Sequence, residues 1–398
     1  MCSPPSGTPA SGTTPMRSSP GCGNIHRSTR TPRAVCGSSA GTPTPYAFCA
    51  IRSSAPPVPR KAASASGISR RCLPSWKGSP RRSPRSAPRC VPRPRATSPR
   101  AGIRSSASCA RHCDRLLAPI VDRLRDGATV DLHAELVYPF TWSVISDVMG
   151  IPEPERARIV EHALPTLAAF NPSLPDEEFQ RAEEAGSRLA AYFTGLLERR
   201  RGDGPPAETP PDLVTCLADS LAPRQAVGVL WAIWAAGYES TVGGIVTAVL
   251  AMLDHPDQAH FLDGTWEQAD AFVTECLRYD APVWGTGVSR APREPVELGG
   301  VLVPPTADLR VLFGAANRDP AAFPDPDRFR PGRSPNQPPM VTFGQGPHYC
   351  LGASLARIEM ITVLTRLRRH LPDLTLAAPP RRCGTGALRR FEELMVAV

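Results

Sequence analysis

The sequence predicts a mainly α-helical protein with a small β region. Apolar residues recur every three or four positions over long stretches, and segments with Asp and Pro, such as GIPEPER and DHPDQ, separate these stretches. Between Val283 and Phe313 the pattern changes to short alternating runs around a glycine pair. Helices are predicted around residues 114–126, 133–149, 154–170, 176–200, 223–253, 266–280 and 351–370.

The β region is predicted to contain a hairpin and a short strand. The stretch VELGGVLVP should turn at Gly299-Gly300, because glycine tolerates the positive φ angles of a tight hairpin. LRVLF, residues 309–313, is predicted to be a strand. The proline-rich coil at 317–339 is too long for a simple connection, so we expect a packed meander there.

Residues 1–113 differ sharply in composition from the rest. They carry 19 Lys and Arg and no acidic residue, whereas residues 114–398 have 27 basic and 37 acidic side chains. Eight of the twelve cysteines also fall before position 114. The segment shows neither helical nor strand periodicity, so the chain divides into a low-complexity part, 1–113, and a folded domain, 114–398.

Three interpretations of residues 1–113 remain open. They could form an Arg-rich arm that binds nucleic acid or acidic lipid, or a plain solvated linker. They could also be an out-of-frame translation, because GC-rich codons read out of register give mostly Arg, Pro, Ser, Ala, Gly and Cys. The scattered cysteines and the near absence of Lys favour the last interpretation, which leaves the domain incomplete at its N-terminal side.

The composition also bears on compartment and membrane. The four cysteines after position 114 are far apart, which argues against a disulfide framework or a four-cysteine zinc site. With no apolar run after the start Met, we expect a cytoplasmic protein whose cysteines are reduced.

Residues 226–253 carry a single charge and are long enough to cross a membrane. The polar cluster Tyr238-Glu239-Ser240-Thr241 at their centre favours a helix buried in protein instead.

The stretch FGQGPHYCLG, residues 343–352, places one cysteine in a glycine-rich turn before a predicted helix. Glycines allow the backbone to turn tightly or to approach a large flat group. A thiol at a helix start is favoured as thiolate by the amide dipoles. Cys350 is therefore a candidate axial ligand of a haem iron, although a buried free cysteine beside a glycine-rich loop would be commoner in isolation.

Four motifs together resemble the cytochrome P450 superfamily, over about residues 114–398. The cysteine stretch meets the pattern FGxGxHxCLG, and AGYEST at 236–241 resembles the oxygen-binding kink of the central helix. Glu275-Cys276-Leu277-Arg278 is similar to ExxR, and Pro326-Asp327-Arg328-Phe329 to the meander motif. The details are typical of the soluble bacterial type, and the resemblance implies a helical fold around haem b.

The resemblance also implies roles for individual residues. Cys350 would bind the iron, and the residues expected to contact the haem are Phe343, Gly344, Gly352, Arg290 and His348. Glu239, Ser240 and Thr241 would relay protons to dioxygen, because an acid followed by an alcohol can pass protons along a helix. The family usually has Thr where this chain has Ser240.

A buried triad of Glu275, Arg278 and Arg328 would have a structural role. Glu275 and Arg278 lie three residues apart on one helix face, and the resemblance adds Arg328 from the meander. The family also has an early helix with basic haem contacts, which would fall within residues 1–113 and is not found there. Trp284, Thr286 and the 229–234 face are candidate pocket residues, but they could equally belong to the core.

The expected function is a haem-thiolate monooxygenase that inserts one oxygen atom of O₂ into a small apolar substrate. No flavin or nicotinamide fingerprint occurs, so electrons would come from a ferredoxin or similar donor with its reductase. No membrane or nucleic-acid partner is expected. Two alternatives stay open: a peroxygenase, whose peroxide-driven turnover would survive loss of the acid–alcohol pair, and an inactive remnant whose Arg-rich arm binds nucleic acid.

Overall fold

A computed structural model describes residues 99–162, 165–166, 175–203, 212–286, 290–383 and 387–398, with side chains from residue 106. Helices dominate it, which confirms the predicted mainly α class. They are α1 (Pro99–Arg125), α2 (Tyr138–Met149), α3 (Arg156–Val160), α4 (Asp176–Asp203), α5 (Leu213–Ser220), α6 (Pro223–Gly237), α7 (Glu239–Asp254), α8 (Trp266–Tyr279), α9 (Phe313–Ala316) and α10 (Ala353–His370). A π-helix, His133–Val137, runs directly into α2, and 3₁₀ turns lie at Glu153–Glu155, Ala259–Asp263 and Gly346–His348.

The strands are short and all pair antiparallel. They are β1 (Val130–Asp131), β2 (Val296–Leu298), β3 (Val301–Val303), β4 (Thr375–Leu376), β5 (Arg381–Cys383), β6 (Arg390–Glu393) and β7 (Met395–Ala397). In the described residues β7 lies between β1 and β4, while β2–β3 and β5–β6 form two-stranded ladders. The β content is therefore small, as predicted.

The hairpin prediction is confirmed and the neighbouring strand prediction is wrong. Strands β2 and β3 pair Leu298 with Val301, and both intervening glycines have positive φ. LRVLF instead makes an isolated bridge from Leu309 to Arg290, and α9 begins at Phe313. The carbonyl of Val311 accepts from the backbone N–H of Thr286 at 2.9 Å, but the N–H of Val311 donates to the Thr286 hydroxyl at 3.2 Å, so a side chain replaces one of the two backbone bonds of a strand pair.

Helix α1 crosses the predicted domain boundary without a break. It begins at Pro99, and its residues Cys109, Cys113 and Leu117 are buried at four-residue spacing. This spacing places the three side chains on one helix face, so ordered structure begins before Asp114. The helix therefore extends across the predicted boundary between residues 113 and 114. Residues 1–98, which are most of the segment 1–113 to which the arm and out-of-frame interpretations refer, lie outside the described residues.

The apolar run predicted as one central helix is two consecutive helices, α6 and α7, separated at Tyr238. By length and composition the segment Pro223–Asp254 could span a membrane, yet 78% of its most apolar window is buried inside the protein. This burial confirms the prediction of a central helix enclosed by protein.

Helix α10 organises the core. It packs against α1 on one side and α7 on another, and its residues Val363, Leu364 and Leu367 are fully buried. Ile245 and Val249 of α7 are fully buried as well. The start of α10, just after Cys350, is thereby held close to the break between α6 and α7.

Candidate functional site

A cavity of about 850 Å³ lies between the break in the central helix and the cysteine turn. Its lining includes Cys350 and Gly344 from the turn, and Ser240 and Thr241 from α7. Most of the remaining lining is apolar. The volume is in the range of about 300–1,000 Å³ found for small-molecule and cofactor sites.

Backbone hydrogen bonds and two glycines shape the cysteine turn. The N–H of Cys350 donates to the carbonyl of Phe343 at 2.9 Å, which closes the loop on itself. Gly344 and Gly346 have φ angles of +71° and +72°, a region that side chains with a Cβ rarely adopt. The predicted need for glycine in this turn is confirmed at these positions.

The thiol of Cys350 is exposed to the cavity just before α10. Surrounding protein raises the pKa of Cys350, while the backbone amides of Gly352 and Ala353 counteract that increase by hydrogen bonding. These amides begin the helix, so the predicted placement of Cys350 just before a helix start is confirmed. Such amides favour a negatively charged sulfur.

The cavity wall also carries cationic and aromatic groups named from the sequence. Arg290 and His348 both line it, so the structure brings them to the cavity that holds Cys350. The Phe343 ring lies 5.6 Å from the guanidinium carbon of Arg357, which donates to Asp270 on α8 at 2.7 Å. The loop is thereby fixed to both α8 and α10.

The break at Tyr238 places two hydroxyl groups on the cavity side. Ser240 donates to the carbonyl of Ala236 at 2.8 Å, and Thr241 to that of Gly237 at 3.2 Å. Both carbonyls belong to the last turn of α6. Hydroxyls that bond back four residues loosen a helix locally, which fits the predicted kink.

Glu239 differs from Ser240 and Thr241, because it is not part of the cavity lining. Its side chain is buried, and its Oε1 accepts a hydrogen bond from Arg390 Nε at 2.9 Å. Arg390 belongs to β6, 151 positions away, and carries no local sequence signal. Sequence reasoning therefore missed it.

The triad around Glu275 forms with a different arginine from the one predicted. Arg278 makes two contacts of 2.8 Å with the carboxylate, as expected. The third member is Arg333, whose Nε lies 3.0 and 3.1 Å from the two carboxylate oxygens. The assignment of Arg328 is corrected, because its side chain is exposed and it contributes only its backbone carbonyl, which accepts from Arg278 and Arg333.

The candidate pocket residues divide into two groups. Thr286, Ala232 and Ile233 line the cavity. Trp284 is 39% exposed and is not among the lining residues. Within residues 229–234, only Ala232 and Ile233 therefore contribute to the cavity wall.

Comparison with known proteins agrees with this geometry. Residues 267–372 match the family model described as Cytochrome P450. The chain is 36% identical over 304 residues to Cytochrome P450 BJ-3 of Bradyrhizobium diazoefficiens, covering 73% of this chain and 70% of the relative. It is 33% identical to Cytochrome P450 monooxygenase PikC of Streptomyces venezuelae, covering 67% of this chain and 64% of PikC.

A solved structure shows the same fold. The chain of P450BioI, in its complex with acyl carrier protein ligated by hexadec-9Z-enoic acid, superposes with a TM-score of 0.68 at 29% identity. The match covers 75% of this chain and 76% of that one. This chain therefore belongs to the cytochrome P450 family of bacterial monooxygenases, whose members bind haem b (iron protoporphyrin IX).

Proposed function

We propose that this chain is a haem-thiolate monooxygenase acting on a small apolar substrate. The observation that carries the proposal is the shared cavity, whose wall includes the thiol of Cys350 and the hydroxyls of Ser240 and Thr241. One oxygen atom of O₂ would enter the substrate, and the other would leave as water with two electrons and two protons.

The residues present fit a haem. The turn from Phe343 to Cys350 offers a thiol beside glycines whose positive φ lets the backbone approach a flat macrocycle. Arg290 and His348 on the same wall would bind the two propionates. When bound by Cys350, the haem iron would supply oxygen activation, since a thiolate ligand favours O–O cleavage.

The chain's own residues would then perform three tasks. The apolar wall, with Ile145, Ile233 and Val283, would bind the substrate and exclude water. The hydroxyls of Ser240 and Thr241 would hold protons at the break in the helix. Glu239 would replenish those protons from its buried position beside them.

Electrons would come from a separate protein. The chain has no flavin or nicotinamide fingerprint, so we propose a ferredoxin with its reductase as donor, in the cytoplasm. The fatty acid in the P450BioI structure is linked to the carrier protein of that complex.

The carbon-monoxide difference spectrum of the dithionite-reduced chain tests the proposal. We expect a strongly red-shifted Soret band, lost in Cys350→Ser and kept in Cys216→Ser, a half-buried thiol on α5. Isotopically labelled O₂, supplied with ferredoxin, reductase and a substrate panel, should then give labelled product. A missing band in the unchanged chain would contradict haem-thiolate binding and would favour the alternative that the chain is an inactive remnant.

A further inference from the structure

The ion pair of Glu239 and Arg390 joins the break in the central helix to strand β6 near the C-terminus. We propose that Arg390 is a positioning residue for proton delivery, which holds the side chain of Glu239 in place next to Ser240. The inference rests on the proposed monooxygenase function and assigns a task to a residue that does not touch the cavity.

Burial is the reason why Glu239 needs this cation. The side chain of Glu239 is only 5% exposed, and the Nε of Arg390 lies 2.9 Å from its Oε1. A carboxylate buried without a partner is strongly unfavourable and tends to take up a proton or leave its site. The contact with Arg390 therefore holds the buried Glu239 side chain in position.

The two oxygens of Glu239 have different surroundings. Oε1 is bonded to Arg390, whereas Oε2 is buried and has no hydrogen-bond partner within the described part of the chain. Oε2 is therefore the oxygen left to accept a proton. Ser240, the next residue, lines the cavity, whereas Glu239 does not, so the acid and the predicted relay hydroxyl are neighbours in the chain at the cavity wall.

Arg390 also connects the buried acid to solvent. Its side chain is 37% exposed, and it lies on β6 opposite Cys383 of β5. The ion pair thus reaches from the protein interior to the surface, on a route separate from the cavity. A proton that Glu239 passes to Ser240 leaves a carboxylate, which takes up a proton from bulk water at Oε2 before the next transfer, so no further reactant is needed.

A neighbouring histidine reports the charge of this pair. Burial lowers the pKa of His133, Asp131 and Glu239 raise it, and Arg390 lowers it. The other titratable groups facing the pair are Tyr138, Tyr238 and Cys383. Changes in the charge of the pair should therefore be visible in the titration of His133.

The first experiment measures the fraction of consumed electrons that appears in product. We expect Arg390→Gln to lower this coupling on the order of 10-fold, less than the 10²–10⁴ attributed to an acid–base group itself. Arg390→Lys should restore part of it. Peroxide-driven turnover and the carbon-monoxide band should stay, because Arg390 does not line the cavity.

The matched control is Arg381→Gln. Arg381 lies in the same two-stranded ladder and pairs with Glu392 at 2.9 Å, but its side chain is 64% exposed and does not contact Glu239. We expect the control to couple like the unchanged chain. Equal coupling in Arg390→Gln and Arg381→Gln would overturn the inference.

The second experiment follows the ring proton of His133 by NMR in the full chain. Glu239→Gln leaves Arg390 as an unpaired cation, so we expect the His133 pKa to fall. Adding Arg390→Gln should return it toward the starting value. An unchanged His133 titration in Glu239→Gln would show that the ion pair does not form.

The two experiments separate the inference from the function on which it rests. A chain without the carbon-monoxide band would fail as a monooxygenase, while the His133 titration would still confirm or refute the ion pair. A chain with the band, unaffected by Arg390→Gln, would keep its proposed function and lose the proposed role of Arg390.

Discussion

Arg333 Nε lies within 3.0 and 3.1 Å of the two carboxylate oxygens of Glu275, so the meander is tied to α8 by a buried ion pair. The same guanidinium donates to the carbonyls of Pro324, Asp325 and Arg328. Arg278, on α8 itself, is only 2% exposed. One carboxylate thus compensates two buried cations and fixes the chain that leads into the cysteine turn.

Replacing Glu275 with Gln should destabilise the protein severely. The change leaves the guanidinium groups of Arg278 and Arg333 buried without a counter-charge, a loss of about 3–5 kcal/mol in the free energy of unfolding. Urea unfolding measures this loss. Arg328→Gln is the control, because Arg328 is exposed and we expect a change within about 0.5 kcal/mol. Equal effects of the two substitutions would restore Arg328 as the third triad member.

Asp147 should make the free energy of unfolding depend on pH. Burial acts to raise its pKa, but hydrogen bonds from His112, Ser108 and Arg156 outweigh it, and the pKa lies below its usual range. A lowered folded pKa means that the stabilisation is complete above the unfolded pKa of about 3.9 and is lost as the pH falls below it.

The matching measurement is urea unfolding of Asp147→Asn across pH 3 to 7. We expect a deficit of about 1.5–3 kcal/mol against the unchanged chain at neutral pH, shrinking below about pH 4. Asp373→Asn, at an exposed carboxylate, is the control and should show no such deficit. A deficit that stays constant down to pH 3 would contradict the interpretation.

Alanine substitutions at two adjacent glycines of α7 should change the stability of the protein in opposite directions. A Cβ at Gly243 would lie 2.6 Å from the carbonyl oxygen of Arg389, and backbone cannot move aside cheaply. We expect Gly243→Ala to cost about 1–3 kcal/mol. A Cβ at Gly244 would meet Met360 Sδ at 3.5 Å, an ordinary contact, so Gly244→Ala should gain about 0.5–1 kcal/mol of helix stability. Thermal unfolding of both variants checks the contrast.

Gly344→Ala should weaken the cysteine turn through the backbone alone. The positive φ of Gly344 costs a residue with a Cβ about 1–2 kcal/mol, although the nearest atom to that Cβ would be 3.7 Å away. We expect haem to dissociate faster, and the decay of the Soret band measures this rate. Gly202→Ala, near the end of α4 with open space around it, is the control and should leave that rate unchanged.

Local pattern predicted much of the site. The cysteine turn, the helix after it and the Glu275–Arg278 pair could all be read from neighbouring residues, because helical and turn chemistry acts over a few positions. The break at Tyr238 was signalled by polar residues in an apolar run. The prediction of an LRVLF strand failed, because the N–H of Val311 bonds to the hydroxyl of Thr286 and not to a backbone carbonyl, so the ladder does not continue.

The parts that sequence missed depend on distant contacts. Arg333 lies 58 positions from Glu275, and Arg390 lies 151 positions from Glu239. Charged residues are common, so nothing local marks which ones will meet across the fold. The start of α1 could have been found, because Cys109, Cys113 and Leu117 share a helix face; the absence of acidic residues concealed it.

The pairing of β1 with β7 sets a limit on when this domain can fold during synthesis. Val130 lies opposite Val396, and Arg125 donates to the carbonyl of His370, so the earliest described elements close onto the last ones. Long loops must be ordered before such contacts form, which slows folding and keeps apolar surface exposed. The β1–β7 ladder can form only after β7 has left the ribosome, and a nascent chain stalled before β7 should expose apolar surface that chaperones bind.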